Sequence, residues 1–295
     1  MLDIPQSRPA KTYDEALERV RAMGALDDET IRPQAFTRLY SHDRRTPLAV
    51  VLFHGITNNP QQYDLLAMQV HERGHNVLVP RLPEHGDRNR MTARLKTLTA
   101  ERLLESANEA IDLAQGLGHR VVIAGISTSG LLCAYFAQYR SDVAHSIPIA
   151  PVFAIPHFAH NIGESIEKLF LFLPNFFIWW NPRIKQGQLP LHGYPRFPTH
   201  ALMQCLRIGD DVYKQARTMA PKAGAITMVT NTRDPAVDNR VTRDVVAFWQ
   251  RCGAKNVSIF AFADLPENHD IIDPTNPDAR IDVVYPKLIE LSEKG

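Results

Sequence analysis

Residues 121–130 read VVIAGISTSG, and the helix-like run LLCAYFAQYR follows at 131–140. Four branched or small apolar residues lead into Gly125, the pattern of a buried strand. Ser127 then stands at the apex of a sharp strand-to-helix turn, which lifts its hydroxyl out of the backbone. A glycine two positions before the serine suits that turn, because there is little room for a Cβ. Two positions after it the chain carries Ser129 where a second glycine is usual, so the pattern is G-x-S-x-S.

Upstream, LAVVLF (48–53) is another continuous apolar run and delivers His54-Gly55-Ile56-Thr57 at its end. Backbone N–H groups just past such a strand can face a developing negative charge. An amphipathic segment ending at Gly74, a strand at 75–82 and a helix over about 99–117 come next. Downstream are apolar strands within 143–153, 225–232 and 256–262, with helices at 239–252 and about 279–293. A surface helix is expected at 13–23. This alternation implies an α/β protein with a mostly parallel sheet and helices on both faces. Ligands of such sheets bind beyond the carboxyl ends of the strands, where His54-Gly55 and Ser127 both fall.

The alternation breaks between 154 and 218, which is rich in aromatics and prolines. We expect 154–218 to be an inserted helical cap over the crevice, with the core formed by 1–153 and 219–295. Substrate contact is expected from His54 and from the cap aromatics Phe158, Phe177, Trp179 and Trp180. His54 reads equally as a buried structural residue. An apolar cap favours a substrate with an apolar acyl or aromatic group. The segment LFLFLPNFFIWW (169–180) also permits transient contact with a membrane surface.

Composition narrows the classes. With 33 basic and 32 acidic residues the net charge is +1, which argues against nucleic acid as partner. Three widely spaced cysteines fit neither a disulfide framework nor a zinc pattern and point to a reducing, cytoplasmic setting. The first residues lack the apolar core of a secretory signal, and no run has the length of a transmembrane span. No metal or cofactor is expected, and nothing in the chain sets an oligomeric state.

A serine hydroxyl is a weak nucleophile and needs a histidine oriented by a carboxylate. Asp234 lies just past the strand at 225–232, and His269 lies in the loop after 256–262. The order Ser127, Asp234, His269 is the one this architecture uses. Asp238, four residues later than Asp234, is better placed to cap the following helix. The backbone N–H groups of Ile56 and Thr128 are the expected oxyanion donors.

These stretches resemble the α/β-hydrolase superfamily, within it the branch of carboxylesterases, monoacylglycerol lipases and serine-aminopeptidase-like enzymes. LFHGITNNPQQYDLLA, ERGHNVLVPRLPEHG, VVIAGISTSG, VTNTRDPAVD and NHDIID carry the resemblance, which spans about residues 46–293. Two positions depart from the branch, Ser129 and Glu84, each where glycine is usual. The resemblance implies a serine hydrolase that cleaves carboxylic esters of apolar acyl groups, small esters or monoglycerides, through an acyl-enzyme. A thioesterase or amidase/peptidase with the same triad, and a non-catalytic ligand-binding homologue, are the alternatives.

Overall fold

The apolar runs become strands because the chain buries both of their faces. In β2 (Thr46–Phe53), Ala49, Val51 and Phe53 join one core cluster while Leu48, Val50 and Leu52 join the other. Side chains alternate sides along a strand, so a strand covered on both faces reads as continuously apolar. The computed structural model describes residues 2–156 and 171–294. Phe158, one of the expected substrate contacts, lies outside the described residues.

A seven-stranded sheet runs in the order β1-β3-β2-β4-β5-β8-β9. Its members are β1 (Arg38–Tyr40), β2, β3 (Asn76–Val79), β4 (Gly118–Ile126), β5 (His145–Ile149), β8 (Ala225–Asn231) and β9 (Val257–Phe262). All neighbours are parallel except β1, which pairs antiparallel with β3 at the edge. Helices α1 (Tyr13–Gly24), α3 (Ala100–Leu117), α4 (Thr128–Tyr139) and α6 (Asn239–Arg251) contribute to the first cluster. Helices α2 (Asp64–Glu72) and α7 (Ile281–Lys294) contribute to the second.

Most of the expected helical cap, 154–218, falls among the described residues. Its described part holds a two-stranded antiparallel hairpin, β6 (Phe177–Trp179) against β7 (Arg196–Pro198). The long helix that follows, α5 (Thr199–Ala216), belongs to the core. Ala201, Met203, Cys205, Ile208 and Val212 are buried in the first cluster, and a Cβ on Gly209 would lie 3.1 Å from Leu131 of α4. Asp211 of α5 also accepts a 2.8 Å bond from the Tyr139 hydroxyl of α4. The apolar period of α5 was masked in the sequence by the aromatics and prolines before it.

Candidate active site

The turn after β4 is shaped by close backbone packing. Ser127 has φ 60° and ψ −118°, a left-handed conformation that costs a non-glycine residue of order 1–3 kcal/mol. Bonds around it offset that cost: its N–H donates to Ile149 C=O at 2.8 Å, and its C=O accepts from Gly130 at 3.0 Å. A Cβ on Gly125 would sit 2.6 Å from the Ser129 carbonyl, so only glycine fits there. Ser129 fits its own position without strain. It is buried, and its hydroxyl donates to the His54 carbonyl, tying the head of α4 to the end of β2.

The loop after β2 is held from several sides. Gly55 N–H donates to Gln62 Oε1 at 3.0 Å. His54 is fully buried: Leu82 N–H donates to its Nε2 at 3.1 Å, so the ring proton is on Nδ1, 3.0 Å from Gly55 C=O. Burial, with the nearby His85 and Arg81, pushes its pKa well below the usual imidazole range. His54 is therefore a neutral structural residue. It is not among the residues lining the cavity beside Ser127, and both its ring nitrogens face backbone. His85 Nε2 lies 2.5 Å from Ile56 C=O, a second brace on the same loop.

Glu84 has φ 67°, which explains why a glycine suits that position. Its carboxylate pairs with Arg102 rather than reaching the cavity.

At the far end of the sheet, His269 Nδ1 and Asp234 Oδ2 lie 2.8 Å apart, with the Asp234 side chain fully buried. Asp234 Oδ1 accepts from Ala236 N–H at 2.8 Å, which fixes the carboxylate plane. Burial pushes the His269 pKa down, but the Asp234 hydrogen bond and charge, with Asp270 adding, outweigh it and leave it raised. Asp238 caps α6 by accepting from Arg240 N–H at 2.9 Å.

Ser127, Ile56 and His269 line one cavity of about 240 Å³. Thr128 follows Ser127 as the first residue of α4, where backbone N–H groups have no intrahelical partner. Of the described aromatics in 154–218, Trp180 and Tyr194 line the cavity, and Trp180 Nε1 donates to Thr57 Oγ1 at 2.9 Å. Phe177 and Trp179 are not among the lining residues. The Arg196 guanidinium lies over both rings, 4.0 Å from the Phe177 centroid and 5.5 Å from that of Trp179.

The remaining wall mixes apolar and polar groups, and its polar residues are legible only in three dimensions. Asn58, Gln62, Asn268, Asp270 and Asn276 all line it. Asn231, at the end of β8, donates to the carbonyls of Pro266 and Asn268 at 2.8 and 2.9 Å and so holds the histidine loop. Burial and the neighbouring Asp273 push the Asp270 carboxyl up to about 6. A signal for Asn231 existed, a polar residue closing an apolar strand, but it pointed to no particular partner.

Residues 50–280 match the model of the alpha/beta hydrolase family, and the chain belongs to that family. A thermostable monoacylglycerol lipase from a Bacillus species is 26% identical over 162 residues, 55% of this chain and 62% of that protein. In that match the chain spans less than two thirds of the relative's length. The fold is also that of a soluble variant of the Saccharomyces cerevisiae monoglyceride lipase (TM-score 0.67, 13% identity, 88% of this chain and 91% of that one). The Paleococcus ferrophilus monoacylglycerol lipase is similar to the same degree (TM-score 0.66, 16% identity, 88% and 99%). No helix among the described residues is long and apolar enough to cross a membrane.

Proposed function

We propose that the protein is a serine hydrolase that cleaves carboxylic esters through an acyl-enzyme, with small esters or monoacylglycerols as substrates. The observation that carries this reading is the 2.8 Å His269–Asp234 contact, with His269 and Ser127 lining the same cavity. His269 Nε2 takes the Ser127 proton as the hydroxyl attacks the ester carbonyl, then passes it to the departing alcohol. Asp234 holds the ring with its proton on Nδ1 and stabilises the imidazolium. The N–H groups of Ile56 and Thr128 receive the oxyanion, each worth ~3 kcal/mol of barrier. Water, activated by the same histidine, then releases the acid.

The polar groups in the wall suit a hydroxylated alcohol group, as in the monoacylglycerols that name the relatives. Within 154–218, Phe172, Phe176, Ile178, Trp180, Leu189 and Leu191 are exposed, and Trp180 and Leu189 also line the cavity. These exposed apolar side chains support transient contact with a lipid surface, where such a substrate resides. An ester series tests the reading: monoacylglycerols and p-nitrophenyl esters of increasing acyl length, assayed with the native protein and Ser127→Ala. Turnover by the native protein, lost in the variant, is expected. A native protein that hydrolyses none of them would sink the reading.

A further inference from the structure

Gln62 connects two loops that the chemistry needs in register. Its Oε1 accepts the Gly55 N–H at 3.0 Å, and its Nε2 donates to Asp270 Oδ2 at 2.7 Å. Only the amide oxygen can meet an N–H and only the amide nitrogen can meet a carboxylate, so the orientation of the side chain is dictated. Gly55 immediately precedes Ile56, and Asp270 immediately follows His269. One buried side chain thus links the backbone before the proposed oxyanion donor to the residue after the proposed base.

The far end of the link is itself anchored. Asp270 Oδ1 accepts from the N–H groups of Asp273 at 3.1 Å and Ile272 at 3.3 Å. Its Oδ2 also receives Asn58 Nδ2 at 3.3 Å. The two carboxylate oxygens therefore face different partners: Oδ1 the backbone of its own loop, Oδ2 the segment after β2.

We propose that Gln62 and Asp270 are positioning residues that set the distance between the Ile56 N–H and the His269 imidazole. This rests on the serine-hydrolase reading above. It extends that reading by explaining how two loops about 200 residues apart in sequence keep one geometry. Displacing an oxyanion donor by a fraction of an ångström weakens the bond in the transition state more than it weakens substrate binding. The effect falls on kcat.

The test is an exchange of donor and acceptor. In Gln62→Glu, a carboxylate faces the Asp270 carboxylate. In Asp270→Asn, whichever way the amide turns, its NH2 faces donors, either those of Gln62 and Asn58 or the two backbone N–H groups. The double change Gln62→Glu with Asp270→Asn reverses the bridge: the new carboxylate accepts from Gly55 N–H and from the new amide, whose oxygen still faces Ile272 and Asp273, while Asn58 Nδ2 loses Asp270 and keeps Asp273 Oδ2 at 3.4 Å. Kinetics are measured on the full chain, with thermal melts to verify folding and Ser127→Ala as the baseline.

Each single variant is expected to lose at least about tenfold in kcat with KM within about threefold. The double variant is expected to recover most of that loss. Single variants that fold and keep kcat within twofold would overturn the proposal, as would a double variant no better than the poorer single one. A loss expressed as KM alone, or as a melting shift with kcat intact, would also overturn it. If the native protein shows no Ser127-dependent turnover, the function reading fails first and this proposal falls with it. Native turnover with unaffected variants removes only the positioning role.

Discussion

The serine turn and the hairpin across the cavity from it are built in opposite ways. Around Ser127, the residues of β4 and α4 are almost all buried, and a Cβ at Gly125 has nowhere to go. In the hairpin segment, Phe172 is 88% exposed and Phe176 55%, and the segment is held to the core largely by polar bonds from loop residues such as Arg90, Asn59 and Thr57. Trp180 donates to Thr57 Oγ1, and Tyr194 N–H donates to Thr57 C=O at 2.6 Å. The proposed reacting groups are thus placed by sheet topology, which tolerates little change. The wall proposed to meet the substrate is placed by hydrogen bonds between loops. Substitutions on the first side should abolish chemistry or folding, and those on the second should shift binding.

The largest expected effect is Ser127→Ala, with a loss of at least about 10⁴-fold in kcat/KM and an unchanged melting temperature. An unaffected rate would remove the distinction between the two regions. Asp234→Asn should lower kcat/KM by about 10²–10⁴-fold. It should also move the acid limb of the pH profile. In the native protein His269 is held above 6.5, so activity falls as pH drops through that raised value. Without the Asp234 charge, burial dominates and the midpoint should move to lower pH. A midpoint that stays put would show that another group sets the limb.

Below about pH 6 the native profile should steepen beyond unit slope, because Asp270 then takes a proton as well. Asp273 beside it stays ionised there: burial pushes its carboxyl up, but His192 at 2.9 Å and the Thr275 bonds outweigh that and hold it below the usual carboxylate range. Asp270→Asn should return the slope to one.

On stability, Gly125→Ala places a Cβ against the Ser129 carbonyl and should cost about 3 kcal/mol, read from denaturant midpoints. The smallest effects belong to the hairpin. Trp180→Ala should raise KM up to about tenfold with kcat within threefold, since it strips a cavity wall and one bond to Thr57. Phe172→Ser with Phe176→Ser should leave hydrolysis of a soluble short ester unchanged and slow that of vesicle-borne monoacylglycerol a few-fold. Equal effects on both substrates would argue against these side chains as a lipid-facing surface.

The same contrast explains what the sequence disclosed. β2, β4 and β8 were legible because burial on both faces leaves continuous apolar runs, and β9, a partly exposed edge strand, from its own apolar run; residues at their carboxyl ends inherit a common location. Ser127, Asp234 and His269 were nameable for that reason. The hairpin was not: β6 and β7 are three residues each and leave no period long enough to read. Phe177 and Trp179, picked as aromatics in the expected cap, meet Arg196, a partner that spacing does not reveal. Gln62, Asp270 and Asn231 were missed because their work is done by hydrogen bonds between distant segments, which impose no local pattern. Ser129 looked like a defect in the motif. Its hydroxyl in fact bonds the His54 carbonyl and joins the two strand ends that form the site.

The most direct test of the central claim is mass-spectrometric mapping of the protein after treatment with a fluorophosphonate. The expected result is one adduct, on the peptide carrying Ser127, absent in Ser127→Ala and retained when Ser129 is changed to Ala. An adduct on Ser129 or elsewhere, or no adduct on the folded native protein, would contradict it.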